Sequence, residues 1–291
     1  MISSLRLLLN SPYNRRHPFN AFKRFISWKF IRLLKLKNQQ LVFWGNRKIS
    51  IQYNSFSAMW LMYNCWLDWN EFNLIKNYLL DGDIVVDAGA NIGIYSLWMS
   101  RFTGVRGKVY AFEPDGNNYF SLNNNINLNS LALYIIPVQK AVGNINGIIS
   151  FTSGLDGENH INKNDMNNTV NVKCVKLDDF FVEYGIDHVS YMKVDVEGFE
   201  LDVLRGCVNY ITAKKIEIIQ LEINQTMRNS GYNTDQLTDF LNTHGYQLCC
   251  YDVFAKQLKL VIYNSQIENY FAVFDLAKAN KKLVVKKSNQ T

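Results

Sequence analysis

Short apolar runs alternate with segments of helical periodicity over most of the chain. A run of about four to eight apolar residues is typical of a buried strand, and apolar residues at every third or fourth position indicate an amphipathic helix. Strands that alternate with helices in this way form a mostly parallel sheet with right-handed crossovers. The predicted strands are residues 84–87, 108–112, 133–138, 189–194, 216–223, 246–251 and 270–274.

Residues 148–175 interrupt this alternation. Residues 148–152 and 170–175 have the pattern of strands and flank a polar, asparagine-rich segment. Long connections inside a compact domain are typically functional. We therefore predict that residues 148–175 form a flap over the ligand site of the sheet.

The N-terminal segment differs from the rest in pattern and in charge. Residues 1–67 contain eleven Lys or Arg and no acidic residue, whereas the remainder has 20 basic and 25 acidic side chains. This asymmetry favours contact of residues 19–37 with an anionic membrane surface; the alternative is a helix packed on the main domain with a solvated basic face. The predicted basic amphipathic helix carries the apolar residues Phe22, Phe25, Ile26, Phe30, Leu33 and Leu34.

Composition places the chain among globular proteins, with 48% hydrophobic and 19% charged residues in a length of 291. No stretch resembles a membrane span or a secretion signal. Five cysteines without a C-x-x-C pattern predict a reducing, cytoplasmic location, with a peripheral contact at the inner membrane face. We expect a basic arm at 1–67, a main domain at 68–280 and a frayed Lys-rich tail at 281–291.

The strongest chemical signal is the segment Asp-Ala-Gly-Ala-Asn-Ile-Gly at residues 87–93, between a predicted strand and a predicted helix. Open α/β sheets bind ligands at the carboxyl ends of their strands, and glycine lets the backbone turn there without a Cβ in the way. The dinucleotide fingerprint requires glycine where this chain has Asn91 and Ile94. The segment therefore predicts a ligand site with an incomplete pyrophosphate cradle.

Glu113 follows the next predicted strand, twenty residues beyond Gly93. A carboxylate at this place in a nucleotide-binding sheet accepts hydrogen bonds from the hydroxyls of a ribose; an ordinary strand-end carboxylate is the alternative. Together with the glycine turn, Glu113 predicts a nucleoside cofactor without phosphates.

A third motif, Lys-Val-Asp-Val-Glu-Gly-Phe-Glu at residues 193–200, closes a predicted strand and opens a helix. Asp195 would lie at the same edge of the sheet, beside the reactive end of the cofactor. Asp195 and Glu197 are candidate general bases, and capping of the helix is their alternative role.

The three motifs, in this order and spacing, resemble the FkbM family of S-adenosylmethionine-dependent methyltransferases over about residues 81–274. The resemblance implies an α/β, class I methyltransferase (Rossmann-like) fold, a three-layer sandwich with a mostly parallel seven-stranded sheet, here preceded by a basic helical arm. It also implies S-adenosylmethionine as cofactor and O-methylation of a hydroxyl on a sugar, glycan or related small molecule.

The resemblance assigns roles to individual residues. Glu113 would hold the ribose, Val142 would lie near the adenine, and Asp195 would face the methyl group. The acceptor hydroxyl must lose a proton, for which Asp195, Glu197 and His160 of the flap are candidate bases. A Mg²⁺ ion held by Asp195 and Glu222 is a less favoured alternative. The remaining implied cofactor contacts are Asp87, Gly89, Ala90, Asn91 and Gly93.

Two other functions stay open at the level of sequence. One is a nicotinamide-dependent oxidoreductase, and the other is a non-catalytic protein that binds membranes or polyanions through a degenerate Rossmann-like domain. A nucleic-acid substrate is not expected, because amino methyltransferases commonly carry an Asn/Asp-Pro-Pro-Tyr/Phe motif where this chain has Asp-Val-Glu-Gly at residues 195–198.

Overall fold

The computed structural model describes residues 11–66, 68–152, 169–223 and 233–288. Its strands fall into one large sheet, a small three-stranded sheet and a hairpin. In chain order they are β1 (Gln39–Phe43), β2 (Arg47–Ile51), β3 (Ile84–Ala88), β4 (Lys108–Phe112), β5 (Ile135–Val138), β6 (Ala141–Val142), β7 (Gly147–Thr152), β8 (Thr169–Val175), β9 (Val189–Val194), β10 (Ile216–Glu222), β11 (Gln247–Asp252), β12 (Gln257–Leu260) and β13 (Asn269–Val273).

Helices connect these strands and cover the large sheet. In chain order they are α1 (Pro12–Arg16), α2 (Pro18–Leu33), α3 (Phe56–Asn64), α4 (Trp69–Tyr78), α5 (Ile94–Thr103), α6 (Gly116–Leu128), α7 (Leu177–Glu183), α8 (Glu200–Gly206), α9 (Val208–Thr212), α10 (Thr234–Thr243) and α11 (Leu276–Ser288). Among the residues with described coordinates, no helix has both the length and the apolar character required to cross a bilayer.

The large sheet has the order β12-β11-β13-β10-β9-β3-β4-β5. Strands β10, β9, β3, β4 and β5 are parallel, and β13 runs antiparallel between β10 and β11. The predicted α/β, mostly parallel sheet is therefore confirmed, and all seven predicted strands lie in it. The strand count differs, because β12 pairs with β11 as an eighth, edge strand. Its short sequence is mostly exposed, so hydrophobic pattern gives little sign of it.

The parallel pairing sets the position of the chemical motifs. Asp87 of β3 pairs with Lys193 of β9, and Ala88 pairs with Val194. Ala88 also pairs with Phe112 at the end of β4. The segments that follow these three strands therefore emerge side by side at one edge of the sheet.

Helix α2 packs on the main body through one face, with Ala21, Phe25, Trp28 and Ile31 buried. The predicted helix is confirmed. Of the six apolar residues named for it only Phe25 is buried, because α2 has two apolar faces and the domain covers the other one. The exposed members of the predicted face are Phe22, Ile26, Phe30, Leu33 and Leu34.

The C-terminal segment is helical through Ser288, where a frayed tail from residue 281 is predicted. Ala279 and Leu283 recur at helical spacing and are buried. Lys282 Nζ lies 3.2 Å from Asp83 Oδ2 and 3.1 Å from Glu217 Oε2. The buried apolar residues and these ion pairs fix the segment from residue 281 against the main domain. Its high lysine content predicts a solvated, frayed end instead.

The strands predicted to flank the flap are present as β7 and β8, which pair antiparallel in the small sheet. Strand β6 completes that sheet by pairing parallel with β8. The polar connection between β7 and β8, residues 153–168, lies outside the described residues, and so does His160.

Candidate functional site

A cavity of about 420 Å³ opens at the carboxyl edge of the large sheet, a size typical of small-molecule sites. The sheet order places the turn after β3 at its centre, Glu113 on the β4 side, and Asp195 and Glu222 on the β9 and β10 side. The motifs singled out in the sequence thus meet in one cavity. Its lining includes the predicted residues Gly89, Ala90, Asn91, Glu113, Val142, Asp195, Glu197 and Glu222.

The glycine turn lets β3 and β9 approach closely. Gly89 has a φ of +82°, and a Cβ built on it would lie 1.8 Å from the carbonyl oxygen of Asp195. Gly93 has a φ of +90°, and a Cβ there would lie 2.6 Å from Leu122 Cδ1. Both positions therefore require glycine. Gly93 itself is not among the lining residues, and its predicted contact with the cofactor stays a prediction.

Asp87 lies beneath the cavity and is not among its lining residues either. The Ser96 hydroxyl donates a hydrogen bond to Asp87 Oδ2 at 2.5 Å. Lys193 Nζ is 4.0 Å from Asp87 Oδ1, which has no hydrogen-bond partner among the described residues. Asp87 thus contacts Ser96 and Lys193, and its predicted contact with the cofactor stays a prediction.

Glu113 is a buried carboxyl held by the backbone. The Asn91 N–H donates to Glu113 Oε2 and the Asp115 N–H donates to Oε1, each at 2.8 Å. Burial raises the pKa of Glu113 to about 8, against the two backbone hydrogen bonds, which lower it. Each carboxylate oxygen has a second acceptor position, so the pair of oxygens suits two adjacent hydroxyls such as those of a ribose.

Lys193 and Asp195 form an ion pair at the opposite end of the cavity. Lys193 Nζ is 2.7 Å from Asp195 Oδ2. Burial favours the protonated form of Asp195, but the Lys193 ammonium and a hydrogen bond with Glu222 outweigh it and hold the pKa of Asp195 below its usual value. Asp195 is therefore a carboxylate at neutral pH.

Glu222 lies beside Asp195 and carries a proton. The negative charge of Asp195, followed by burial and by the hydrogen bond between the two carboxyls, raises the pKa of Glu222 to about 10. Oxygens of Asp195, Glu197 and Glu222 lie within 4.8 Å of one another. The proposed Mg²⁺ ligands are thus adjacent, but the Lys193 ammonium already neutralises Asp195.

A polar network that no sequence motif predicts lies at the same end of the cavity. The Tyr95 hydroxyl donates to Asp68 Oδ2 at 2.5 Å, and Gln220 Nε2 donates to the Tyr95 oxygen at 3.3 Å. Burial raises the pKa of Asp68. These three residues all line the cavity. They come from distant parts of the chain and belong to no local motif.

Helix α3 supplies an aromatic wall that the sequence did not reveal. Phe56 and Trp60 line the cavity, with their ring centroids 5.9 Å apart in an edge arrangement. The Ser57 hydroxyl donates to Asn91 Oδ1 at 3.1 Å, which ties this helix to the glycine turn. The N-terminal segment therefore forms part of the site.

Comparison with known proteins gives one family and several relatives. The family model described as the methyltransferase FkbM domain matches residues 87–248. The hexuronic acid methyltransferase AglP of Haloferax volcanii is 26% identical over 48% of this chain and 56% of that protein. The methyltransferase sdnD of Sordaria araneosa is 27% identical over 56% of this chain and 73% of that protein.

Similarity to solved structures is weaker. The methyltransferase FkbM of Methylobacillus flagellatus KT is 18% identical, with a TM-score of 0.45 over 67% of this chain and 44% of that one. This chain spans little more than half the length of AglP.

Proposed function

The chain belongs to the FkbM family of methyltransferases, and on that premise we propose that it methylates a hydroxyl oxygen of a sugar or glycan with S-adenosylmethionine as donor. The relative AglP carries the name of a hexuronic acid methyltransferase, which supports a saccharide as the acceptor class. The observation that carries the proposal is the cavity itself, which joins Glu113 at one end to the Asp195 and Glu222 carboxyls at the other.

Residues at the β4 side are suited to hold the adenosine part of the donor. Glu113 accepts hydrogen bonds from the ribose hydroxyls, and Gly89, which lines the cavity beside it, has no Cβ and so lets the Asp195 backbone pack against the turn. Val142 and Phe112 provide apolar surface for the adenine. When bound, S-adenosylmethionine supplies an electrophilic methyl group on a sulfonium sulfur.

Residues at the β9 side are suited to hold and deprotonate the acceptor. Asp195 would orient the acceptor hydroxyl and take its proton as the oxygen accepts the methyl group. Lys193 fixes the position of that carboxylate through the 2.7 Å ion pair. Alignment and exclusion of water supply most of the acceleration in such a displacement. Glu197, and His160 outside the described residues, stay predicted alternatives for the base.

The aromatic wall supports a sugar as the acceptor. Sugar rings present C–H groups on their faces and hydroxyls at their edges, so an acceptor site combines aromatic surface with hydrogen-bonding groups. Phe56 and Trp60 offer that surface, and Asp195, Glu222 and Glu268 offer oxygen atoms in the same cavity. We further propose that the acceptor is carried at an anionic membrane, which residues 19–37 would contact.

Calorimetric titration and an activity assay test the proposal. We expect S-adenosylhomocysteine to bind the purified chain and NAD not to bind. Labelled S-adenosylmethionine should then transfer its methyl group to glycosides or extracts rich in glycan precursors, with the product analysed for a methyl ether. Binding of NAD alone would favour an oxidoreductase, and donor binding without transfer to any saccharide would contradict the acceptor class.

A further inference from the structure

Helix α2 has a second apolar face that is exposed in the part of the chain that the structure describes. Phe19, Phe22, Ile26, Phe30 and Leu33 recur every third or fourth residue and form one line along the helix. Their exposure ranges from 37% for Ile26 to 84% for Phe19. We call these five side chains the α2 stripe. A contiguous exposed patch of this kind marks an interaction surface.

The α2 stripe lies among basic side chains. Lys23, Lys29 and Arg32 of the same helix are exposed, and no described acidic residue forms a salt bridge with any of them. Lys35 and Lys37 follow directly and are exposed as well. Two neighbouring copies of this surface would repel each other, since residues 1–67 contain no acidic residue to offset the charge.

The other face of α2 is fixed to the protein, so the stripe is held in place. Trp28 is almost fully buried. Arg24 Nη2 donates to Asn14 Oδ1 at 2.6 Å, and its Nε donates to the carbonyl of Met62 at 3.2 Å. The helix thus presents its aromatic side chains outward without an ordering cost at binding.

We propose that the α2 stripe inserts into the interface of an anionic lipid leaflet, with the flanking lysines and Arg32 contacting lipid phosphates. Aromatic and aliphatic residues on one face with basic residues beside them are the pattern of helices that lie in the plane of a bilayer. Basic side chains near an anionic surface add to such binding. Docking of this kind rests on the proposed function, because it would bring the cavity that binds the methyl donor to a lipid surface that carries the acceptor.

Packing connects the stripe to the cavity. Helix α2 packs against α3, and Phe25 of α2 contacts Tyr63 of α3 with ring centroids 5.7 Å apart. The N-terminal half of α3 supplies Phe56 and Trp60 to the cavity. Helix α3 therefore contacts the helix that carries the docking surface and also lines the proposed acceptor end. A saccharide linked to a lipid could reach that end while the protein rests on the membrane.

Vesicle flotation with the full chain tests the proposal. Vesicles of phosphatidylcholine with about 30% phosphatidylglycerol should carry the protein upward, while phosphatidylcholine alone should carry little of it. The exposed double variant Phe22→Ser, Phe30→Ser should lower the partition coefficient about tenfold or more, because two aromatic side chains no longer leave water. Raising the salt concentration should weaken binding by the wild type.

Phe254→Ser is the matched control, because Phe254 is 90% exposed in the turn between β11 and β12. It should bind vesicles like the wild type. Equal binding by the double variant and the wild type would overturn the proposal. So would an absence of vesicle binding together with a dimer in solution that the double variant dissociates, since a second copy would then cover the stripe. Titration with S-adenosylhomocysteine in solution, where no membrane is present, keeps a failure of the proposed function distinct from a failure of docking.

Discussion

Glu113 links cofactor binding to pH. Burial raises the pKa of Glu113 from 4.5 to about 8, so the carboxyl is protonated in the free protein below that pH. It must lose this proton before both of its oxygens can accept hydrogen bonds from the ribose hydroxyls. Affinity for S-adenosylhomocysteine should therefore rise as pH increases from about 6 to 8 and level off above it, approaching tenfold per pH unit below the pKa. Calorimetry in buffers of different ionisation enthalpy should detect the released proton.

Glu113→Gln is the control for this pH dependence. The variant should bind S-adenosylhomocysteine more weakly by about 1.5–3 kcal/mol, as expected for charge-assisted hydrogen bonds, and its affinity should not change over the same pH range. An unaltered slope in the variant would assign the titration to another group. The pKa of Glu113 is higher in the folded state than in the unfolded state, where it is near 4.5. Its contribution to folding stability is therefore fully present below pH 4.5 and is lost as the pH rises toward 8.

Asp195 and Glu222 differ in protonation, and their amide variants should differ accordingly. Asp195→Asn removes the proposed proton acceptor and should lower kcat about a hundredfold or more, with a smaller effect on S-adenosylhomocysteine affinity. Glu222 carries a proton because the negative charge of Asp195, burial and their hydrogen bond raise its pKa to about 10. Glu222→Gln keeps a neutral hydrogen-bonding group and should lower kcat less than about tenfold.

Equal losses in kcat and in affinity for Asp195→Asn would make Asp195 a binding residue only.

At the scale of elements, the contact between the β3–α5 turn and the end of β9 fixes the cavity. Gly89→Ala would place a Cβ 1.8 Å from the backbone oxygen of Asp195, directly after β9, at a φ of +82°, so the two strand ends would have to separate. We expect a loss of about 2–4 kcal/mol in the free energy of unfolding and loss of S-adenosylhomocysteine binding, measured by urea denaturation and calorimetry.

Gly147→Ala is a matched control in β7. A Cβ at Gly147 meets nothing within 4 Å, and alanine is favoured over glycine inside a strand by about 0.5–1 kcal/mol. This variant should be as stable as the wild type or slightly more so. A similar loss in both variants would show that the β3–α5 turn tolerates a side chain.

Sequence pattern was most informative where structure depends on neighbours in the chain. Two features could be predicted from the sequence: the strand, turn and helix around residues 87–93, and the strand end at Asp195. In both, an apolar run predicts the strand and a glycine a few residues later predicts the turn. The two apolar faces of α2 could not be separated, because periodicity does not tell which face meets the sheet. Asp68 and Tyr95 were missed because their hydrogen bond joins elements 27 residues apart.

At the scale of the whole molecule, the basic N-terminal segment, residues 1–67, and the main domain differ in net charge. The basic segment and the main domain share one hydrophobic cluster, which includes Trp28 of α2, Phe72 of α4, Leu97 of α5 and Tyr191 of β9. Helix α3 also belongs to both, since it packs on α2 and lines the cavity. A boundary at residue 67, drawn from charge, therefore crosses a continuous core, and we propose that both parts unfold together.

Trp28→Ala tests this cooperation. The side chain is 1% exposed, so its removal should cost about 3–5 kcal/mol and lower the midpoint of a single transition that far-ultraviolet circular dichroism and tryptophan fluorescence both follow. Phe30→Ala is the control on the same helix, because Phe30 is 58% exposed and its removal should change stability by less than about 0.5 kcal/mol. Saturating S-adenosylhomocysteine should raise the midpoint of both variants, since a ligand that binds only the folded state stabilises the whole cooperative unit. If the N-terminal segment were an independent arm, Trp28→Ala would produce a separate early transition and leave the ligand-stabilised one unchanged.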